Sequence, residues 1–376
     1  MLDEYLNSSV LPDWALCGFE SRARALERIV QEHRLEILVW EATRRCDLTC
    51  RHCGSPYTAE SGTGELSTAQ VIDLFSRFDE AFDLRSLTCI SITGGEPTVR
   101  QDLPQIVEHV RALGASQIVM HTNGHRIVRS EGLLGNLVSA GITGIGVNLD
   151  GMQEAHNWLR NDPAAFELSL RAFTAVRHTG IDTMVSTVLT RRVLDDLPDL
   201  RSLMIELQPM RWRLLPIEPI GRASNSLAEE LLTPRLLRQV VEFVLESRTE
   251  HPEINIEMGC GQWYGKRLET LMRPYIWYCI AGVSVMGIMY DGTIGACNNI
   301  SHSYSQGNAL HDDLAEVWRS RFLEYRERDW CHSGECDGCE DWRLCRGGEM
   351  HLRGEKGQRL APCFFSWLQQ PYEDKE

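Results

Sequence analysis

The stretch TRRCDLTCRHC at residues 43–53 decides how this sequence is interpreted. It places Cys46, Cys50 and Cys53 at C-x3-C-x2-C spacing, directly after an apolar run that predicts a buried strand. A closed structural zinc site needs four ligands, whereas an iron–sulfur cluster held by three cysteines leaves one iron open to another ligand. The spacing therefore favours an iron–sulfur centre, and the alternative is a zinc loop completed by a residue such as His52.

The composition is that of a globular protein of two or more domains. The chain has 376 residues, 43% of them apolar and 24% charged. Its 13 cysteines are an odd number in a long chain, which favours metal binding over a disulfide framework. The net charge of −15 argues against electrostatic binding to nucleic acid. The sequence lacks a signal peptide and any run of about 18 apolar residues, so we expect a cytoplasmic protein without membrane association.

Strands and helices alternate through the first two thirds of the chain. The predicted strands cover 35–43, 87–93, 117–122, 142–150, 184–190 and 211–217. The predicted helices cover 19–33, 67–82, 102–113, 126–140, 163–179, 195–207 and 233–249, and Ser67 with Gln70 forms a capping box before the second of them. Six βα units predict an α/β fold, in which a parallel sheet forms a full or partial barrel with its chemistry at the carboxyl ends of the strands.

The character of the sequence changes near residue 255. Beyond it the chain is rich in Cys, Trp, Gly and His and lacks regular apolar periodicity, so it needs covalent links or a metal to stabilise it. We predict an N-terminal helical segment at 1–34, a barrel at 35–254 and a cysteine-rich domain at 255–376.

A second motif, TGGEP, follows the second predicted strand at residues 93–97. Together with the cysteine loop it resembles the radical S-adenosylmethionine (radical SAM) superfamily, whose members have a partial (β/α)6, TIM-like barrel. The resemblance implies a four-iron cluster on the loop cysteines and binding of the methionyl amino group by the GGEP turn. It implies these cofactor-binding residues: Gly94, Gly95, Glu96, Pro97, Asn123, Asn148, Asp150, Ser186 and Arg160, the last toward the methionyl carboxylate.

The C-terminal cysteines resemble the SPASM extension of radical SAM enzymes, which carries auxiliary four-iron clusters. The matching pattern runs from Cys279 through C-x12-G-x4-C to Cys297, and then through Cys336, Cys339, Cys345 and Cys363. By the family's arrangement the last four of these hold an outer cluster. The inner cluster has Cys279 and Cys297, and Glu349 stands where the family has a further cysteine.

Three outcomes stay open for the inner cluster. Glu349 or a spare cysteine, Cys260 or Cys331, completes it; it keeps an open iron that binds substrate; or it is absent. Cys260 could also be a hydrogen-atom donor, and hence a catalytic residue. Structural zinc is the alternative for the whole region. Cys89 and Cys17 are expected to be core or inert thiols.

The resemblance implies an enzyme that cleaves S-adenosylmethionine to a 5′-deoxyadenosyl radical, with an electron donor such as flavodoxin or ferredoxin. We predict oxidative modification, by cross-linking or dehydrogenation, of a ribosomally made peptide or a protein side chain. Because about 35 residues precede the first predicted strand, we expect no separate leader-binding domain, and this expectation weakens the prediction. The alternative is a dehydrogenase or epimerase that acts on a cationic small molecule such as an aminosugar, which the acidic charge balance would suit. A non-catalytic iron–sulfur or zinc scaffold is a further alternative, and the intact motifs argue against it.

Overall fold

The computed structural model describes residues 13–55, 57, 59, 64–260, 262–273, 277–300 and 302–370, and in the first helix the side chains from residue 18 onward. Its strands are β1 Ile37–Glu41, β2 Cys89–Thr93, β3 Ile118–Thr122, β4 Gly144–Asn148, β5 Asp182–Leu189, β6 Arg211–Pro216, β7 Ile256–Met258, β8 Val285–Ile288, β9 Thr293–Gly295 and β10 Gly307–Asn308. The expectation for Cys17 falls on a side chain outside the described part.

The α-helices alternate with these strands in the first two thirds of the chain. They are α1 Asp13–Glu32, α2 Thr68–Phe82, α3 Leu103–Ala112, α4 His125–Arg129, α5 Leu133–Ala140, α6 Gln153–Arg160, α7 Ala165–His178, α8 Arg191–Leu194, α9 Leu197–Leu207, α10 Ala223–Ser226, α11 Pro234–Glu250, α12 Lys266–Met272, α13 Leu314–Ser320, α14 Leu323–Arg326, α15 Trp342–Cys345 and α16 Phe364–Gln369. Short 3-10 helices cover Leu84–Ser86, Pro97–Val99, Ala228–Glu230, His302–Tyr304, Arg328–Cys331, Gly334–Cys336 and Met350–Leu352. None of the described helices combines the length and apolar character needed to cross a membrane.

One sheet contains all ten of these strands, in the order β10-β9-β8-β1-β2-β3-β4-β5-β6-β7. Strands β1 to β7 are parallel neighbours, and β8 pairs in parallel with the free side of β1. The last two strands are antiparallel. Because β7 and β10 are at opposite ends of the order, the sheet is an open, partial barrel, as the sequence predicts.

Two apolar clusters fill the space between the sheet and its helices. Trp40 of β1 packs edge-on against Phe75 of α2 in the first cluster, and both side chains are almost fully buried. In the second, Trp212 of β6 packs against Phe243 of α11. This outer layer leaves the carboxyl ends of the strands free for polar groups.

The structure confirms the six predicted strands within a few residues and adds detail that periodicity did not give. The capping box is present, because the Ser67 amide donates to Gln70 Oε1 at 2.9 Å and Ser67 Oγ caps α2. The helix predicted at 126–140 is two helices, because Gly132, with φ of +75°, turns the chain between α4 and α5. Strand β7 begins at Ile256, and β8 joins β1, so the sheet continues past the predicted boundary at 254/255.

A buried acid at the end of β1 makes stability depend on pH. Glu41 is 1% exposed and accepts a hydrogen bond from the Tyr57 hydroxyl, and burial raises its pKa from 4.5 to about 7. A raised acid pKa lowers stability as pH rises from 4.5 to 7, because the unfolded chain releases the proton first. Glu41→Gln should therefore raise the free energy of unfolding above pH 7, by about 3 kcal/mol at most, with little effect at pH 4.5. Denaturant titrations at the two pH values measure this difference, and an equal effect at both would contradict it.

Candidate functional site

The cysteine loop borders a cavity of about 180 Å³ at the carboxyl ends of the first strands. Its lining includes the thiol-bearing residues Cys46, Cys50 and Cys53 together with residues that follow β2, β3 and β4. Burial raises the pKa of the Cys46 thiol to about 12 and also raises that of Cys50. Thiolates in such surroundings need a positive partner, which a metal cluster supplies.

The segment after β6 holds the cysteine loop from one side. Arg222 donates from its amide to the Cys53 carbonyl at 2.9 Å and from Nε to the Cys50 carbonyl at 2.8 Å. Its Nη1 also donates to the Tyr57 carbonyl at 3.2 Å. Gly221, with φ of +56°, lies so close to the carbonyls of Cys53 and Gly54 that a Cβ would collide with them. These contacts fix the conformation of the loop that carries the thiols.

The GGEP turn holds the start of the same loop from the other side. The Gly95 amide donates to the Thr43 carbonyl at 2.7 Å, and the Glu96 amide donates to the Arg45 carbonyl at 2.8 Å. A Cβ on Gly95 would collide with that Arg45 carbonyl. The glycine therefore lets two backbone segments meet at the cavity wall.

The carboxylate of Glu96 joins the ends of β2 and β3. It is 1% exposed and accepts from Thr98 Oγ1 at 2.5 Å, Thr122 Oγ1 at 2.7 Å and the Asn123 amide at 2.7 Å. The Asn123 side chain in turn donates to Asp47 of the cysteine loop at 2.7 Å. Glu96 thus supports the cavity wall in addition to lining the cavity.

Arg160 lies between a buried carboxylate and a loop thiol. Its Nε is 2.7 Å and its Nη2 2.5 Å from Asp150 Oδ2, and its Nη1 lies 3.8 Å from Cys50 Sγ. Asp150 also accepts from the Val188 amide at 2.9 Å and lies 3.8 Å from His52 Nε2. Burial alone raises the pKa of Asp150, but the charge of Arg160 holds it below its ordinary value. The pair keeps a guanidinium at the cavity wall.

The predicted cofactor-binding residues divide into two groups. Those that line the cavity are Gly94, Gly95, Glu96, Asn123, Asn148 and Arg160. Asp150 is fully buried behind Arg160, and Ser186 is a buried neighbour of Asn148 in the sheet. Pro97 begins a buried 3-10 helix. These three residues do not line the cavity in this structure.

The residues present fit S-adenosylmethionine bound to an iron–sulfur cluster. Three thiols and a buried guanidinium border one cavity. His52, which lines the same cavity, has a buried Nδ1 atom without a hydrogen-bond partner among the described residues. Such an atom favours a polar ligand, since an unpaired buried donor is costly.

Arg222 was not predicted from the sequence. Its replacement should weaken the binding of the first cluster by the cysteine loop. Arg222→Ala removes the donors to the Cys50 and Tyr57 carbonyls, so we expect iron to leave the loop about 10- to 100-fold more readily. The measurement is the decay of cluster absorbance under a chelator. Arg171→Ala, an exposed arginine on α7, is the matched control. Equal decay of the two variants would contradict the role of Arg222.

The C-terminal thiols form two groups. In the outer group, the charges of Cys363 and Cys336 add to burial in raising the pKa of Cys345, and the same two thiols raise that of Cys339. Arg353 Nη2 donates to Cys336 Sγ at 3.2 Å. The four cysteines that the resemblance assigns to the outer cluster therefore lie together.

The inner group contains Cys260 as well as the two expected thiols. Cys260 is exposed as a residue, but its thiol is surrounded by protein atoms that raise its pKa, and the charges of Cys279, Glu349, Cys297 and then Glu218 raise it further. Cys260 is thus a neighbour of Cys279 and Cys297 although it precedes them by a helix and a loop. No sequence pattern favours Cys260 over Cys331 as the further ligand.

Two further thiols lie in the described part, and burial and then the charge of Cys336 raise the pKa of Cys331, which places Cys331 near the outer group. Cys331 is fully buried, and its Sγ donates to the Arg328 carbonyl at 3.1 Å. Cys89 is half-buried in β2, and burial raises its pKa to about 11. Among the described residues, no three His, Cys, Asp or Glu side chains converge closely enough to hold a single metal ion.

Comparison with known proteins identifies the family. The sequence model of the radical SAM superfamily matches residues 40–204, and that of the iron–sulfur cluster-binding SPASM domain matches residues 279–340. This chain belongs to the radical SAM superfamily and carries a C-terminal SPASM domain. It is an enzyme that uses a four-iron four-sulfur cluster, auxiliary clusters and S-adenosylmethionine. The radical SAM prediction from the two motifs is confirmed.

Relatives of this radical SAM enzyme carry more than one functional name. The AdoMet-dependent heme synthase of Oleidesulfovibrio alaskensis is 24% identical, and the match covers 96% of this chain and 95% of that protein. The mycofactocin maturase MftC of Mycobacterium ulcerans is 26% identical over 87% of each chain. Among solved structures, SuiB of Streptococcus suis bound to its precursor peptide SuiA has a TM-score of 0.67 at 18% identity, covering 90% of this chain and 77% of that one. This last likeness shows the fold.

Proposed function

We propose that the enzyme oxidatively modifies a side chain of a ribosomally made peptide or a protein, by forming a cross-link or a double bond. The observation that carries the proposal is the position of the segment from Glu218 to Arg222, which follows β6. At one end Arg222 binds the cysteine loop, and at the other Glu218 accepts from His351 of the SPASM region at 2.5 Å. One short segment therefore contacts both the loop site and the surroundings of the inner auxiliary thiols.

This arrangement suits an oxidation that removes a hydrogen atom and then one more electron from substrate. When bound, S-adenosylmethionine and the clusters supply the one-electron chemistry for both steps, and the substrate releases a proton. The protein holds the thiols through Arg222, keeps Arg160 at the cavity wall through Asp150, and closes the wall with the GGEP turn. A substrate at the strand ends would lie next to the segment that contacts both centres.

The assignment of a peptide substrate is supported by a relative named as a maturase and by a similar structure that contains a precursor peptide. The mycofactocin maturase matches over 87% of this chain, and SuiB, whose structure contains a precursor peptide, shares the fold. We also propose a flavodoxin or ferredoxin as electron donor and a cytoplasmic location. The aminosugar alternative stays a prediction.

A second candidate substrate is a tetrapyrrole, which is favoured by the name of one relative and by a cation near the loop cavity. The relative named AdoMet-dependent heme synthase matches over 96% of this chain. Arg213 of β6 lies beside Gly259, and its charge adds to burial in lowering the pKa of His121 to about 4. Because His121 lines the loop cavity, Arg213 is a cation near that cavity that could bind a substrate carboxylate.

One experiment separates the two candidates. The reconstituted enzyme is incubated anaerobically with reductant and S-adenosylmethionine, and either with the peptide encoded by a short adjacent reading frame or with an iron porphyrin that carries propionates. Loss of two hydrogen atoms from the peptide supports the proposal, and loss of a porphyrin carboxylate supports the second candidate. Unchanged peptide and porphyrin, with active cleavage of S-adenosylmethionine, would exclude both of these substrates.

A further inference from the structure

Glu349 is a buried carboxylate whose two oxygens make no hydrogen bond to the described part of the chain. The residue is 1% exposed, and neither Oε1 nor Oε2 has a hydrogen-bond partner there. Buried carboxylates are normally paired, protonated or bound to metal, because an isolated buried charge is strongly disfavoured. The two oxygens of Glu349 therefore need a partner, such as a proton or a metal.

The backbone before Glu349 turns it toward the inner thiols. Gly347 and Gly348, with φ of +90° and +80°, reverse the chain directly after α15. Fully buried Arg328 then donates from Nη1 to the Gly348 carbonyl at 3.2 Å and from Nη2 to the Cys279 carbonyl at 2.6 Å. A single guanidinium thus holds the segment of Glu349 beside the segment of Cys279.

The cations near Glu349 are already paired with other acids. His351 binds Glu218 at 2.5 Å, and Arg273 Nη1 lies 2.8 Å from Glu269 Oε1 within a fully buried pair. Neither cation makes a hydrogen bond to Glu349. Cys260 follows β7 by two residues, as Glu218 follows the neighbouring strand β6, so the fold brings the Cys260 loop to the Glu218–His351 pair and hence to the segment of Glu349.

We propose that Cys260, Cys279, Cys297 and Glu349 hold the inner auxiliary cluster, with three irons on thiolates and one on the Glu349 carboxylate. The SPASM domain implies auxiliary clusters, and these four residues of the chain would hold the inner one. A carboxylate is a harder ligand than a thiolate, so the fourth iron differs from the others in its electronic environment. Arg328 is a positioning residue, since it joins the two ligand-bearing segments without facing the iron.

Spectroscopy of the iron tests the carboxylate ligand directly. The background is the Cys46→Ala/Cys50→Ala/Cys53→Ala protein, which lacks the open iron of the first cluster, reconstituted with isotopically enriched iron. Mössbauer spectra should show one iron site with oxygen ligation, and Glu349→Cys should convert it to an all-thiolate cluster with full iron content. Glu349→Gln should lose about one iron per chain and give the paramagnetic signal of a three-iron cluster. Spectra and iron content unchanged in Glu349→Gln would overturn the assignment.

Cys260 is tested by iron counting with a matched thiol. Cys260→Ala should lose about four irons per chain, because three ligands including a carboxylate do not retain the cluster. Cys89→Ala is the control, since this thiol lies in strand β2 outside the three thiol groups. Iron content equal to that of the control would overturn the role of Cys260. Cleavage of S-adenosylmethionine by the otherwise wild-type Glu349→Cys enzyme measures the first cluster separately. A wrong ligand assignment for the inner cluster can therefore be distinguished from a wrong proposed function.

Discussion

Cys50→Ala is expected to reduce 5′-deoxyadenosine formation to the level of a protein-free control. Cys50 is the most buried of the three loop thiols, and its residue is held by Arg222 at the carbonyl and approached by Arg160 at the sulfur. A cluster with two protein thiolates does not keep the open iron that S-adenosylmethionine needs. The product is quantified by chromatography after anaerobic reconstitution, with reductant in excess.

The same variant should lose about four irons per chain and keep its auxiliary clusters. Cys89→Ala is the matched control, because this thiol lies in the neighbouring strand β2 outside the three thiol groups. The control should retain both iron and product. Normal product formation by Cys50→Ala, or equal losses in the two variants, would contradict the assignment of the loop.

Asp150→Ala is expected to lower the free energy of unfolding by about 3 to 5 kcal/mol. The substitution leaves the guanidinium of Arg160, which is 7% exposed, without its carboxylate partner. It also leaves the Val188 amide without its acceptor. Because Arg160 lines the cavity, binding of S-adenosylmethionine should weaken together with stability.

A double variant separates loss of the pair from creation of an unpaired charge. Asp150→Ala/Arg160→Met removes both charges, and a buried pair replaced by apolar groups is often close to neutral. We expect the double variant to be more stable than Asp150→Ala in anaerobic denaturant titrations. If the double variant were the less stable of the two, the unpaired charge would not be the cause.

The barrel was predictable from sequence because local patterns determine it. Apolar runs such as 35–43 and 87–93 marked the strands, and the motif residues follow them directly, so the topology brings them to one edge. The helix break at Gly132 was missed, because the apolar period continues on both sides of it. Strand β7 was missed because it has only three residues.

The candidate site was only partly predictable, because its supporting contacts are distant in sequence. Arg222 and Cys50 are separated by 172 positions, and no local pattern identifies such a pair. Asp150 and Arg160 were both expected at the cofactor, yet the structure pairs them with each other. Cys260 could not be assigned to a cluster from the sequence, because only the pairing of β7 with β6 brings its loop to Glu218 and His351. Sequence spacing predicts ligands within one loop far better than ligands from separate segments.

The most direct test is reductive cleavage of S-adenosylmethionine by the wild-type enzyme, measured together with its iron content. We predict about 12 irons per chain, as three four-iron clusters require, and formation of 5′-deoxyadenosine and methionine that depends on reductant. Full iron loading without 5′-deoxyadenosine would contradict the account of the cysteine loop as the site of this chemistry.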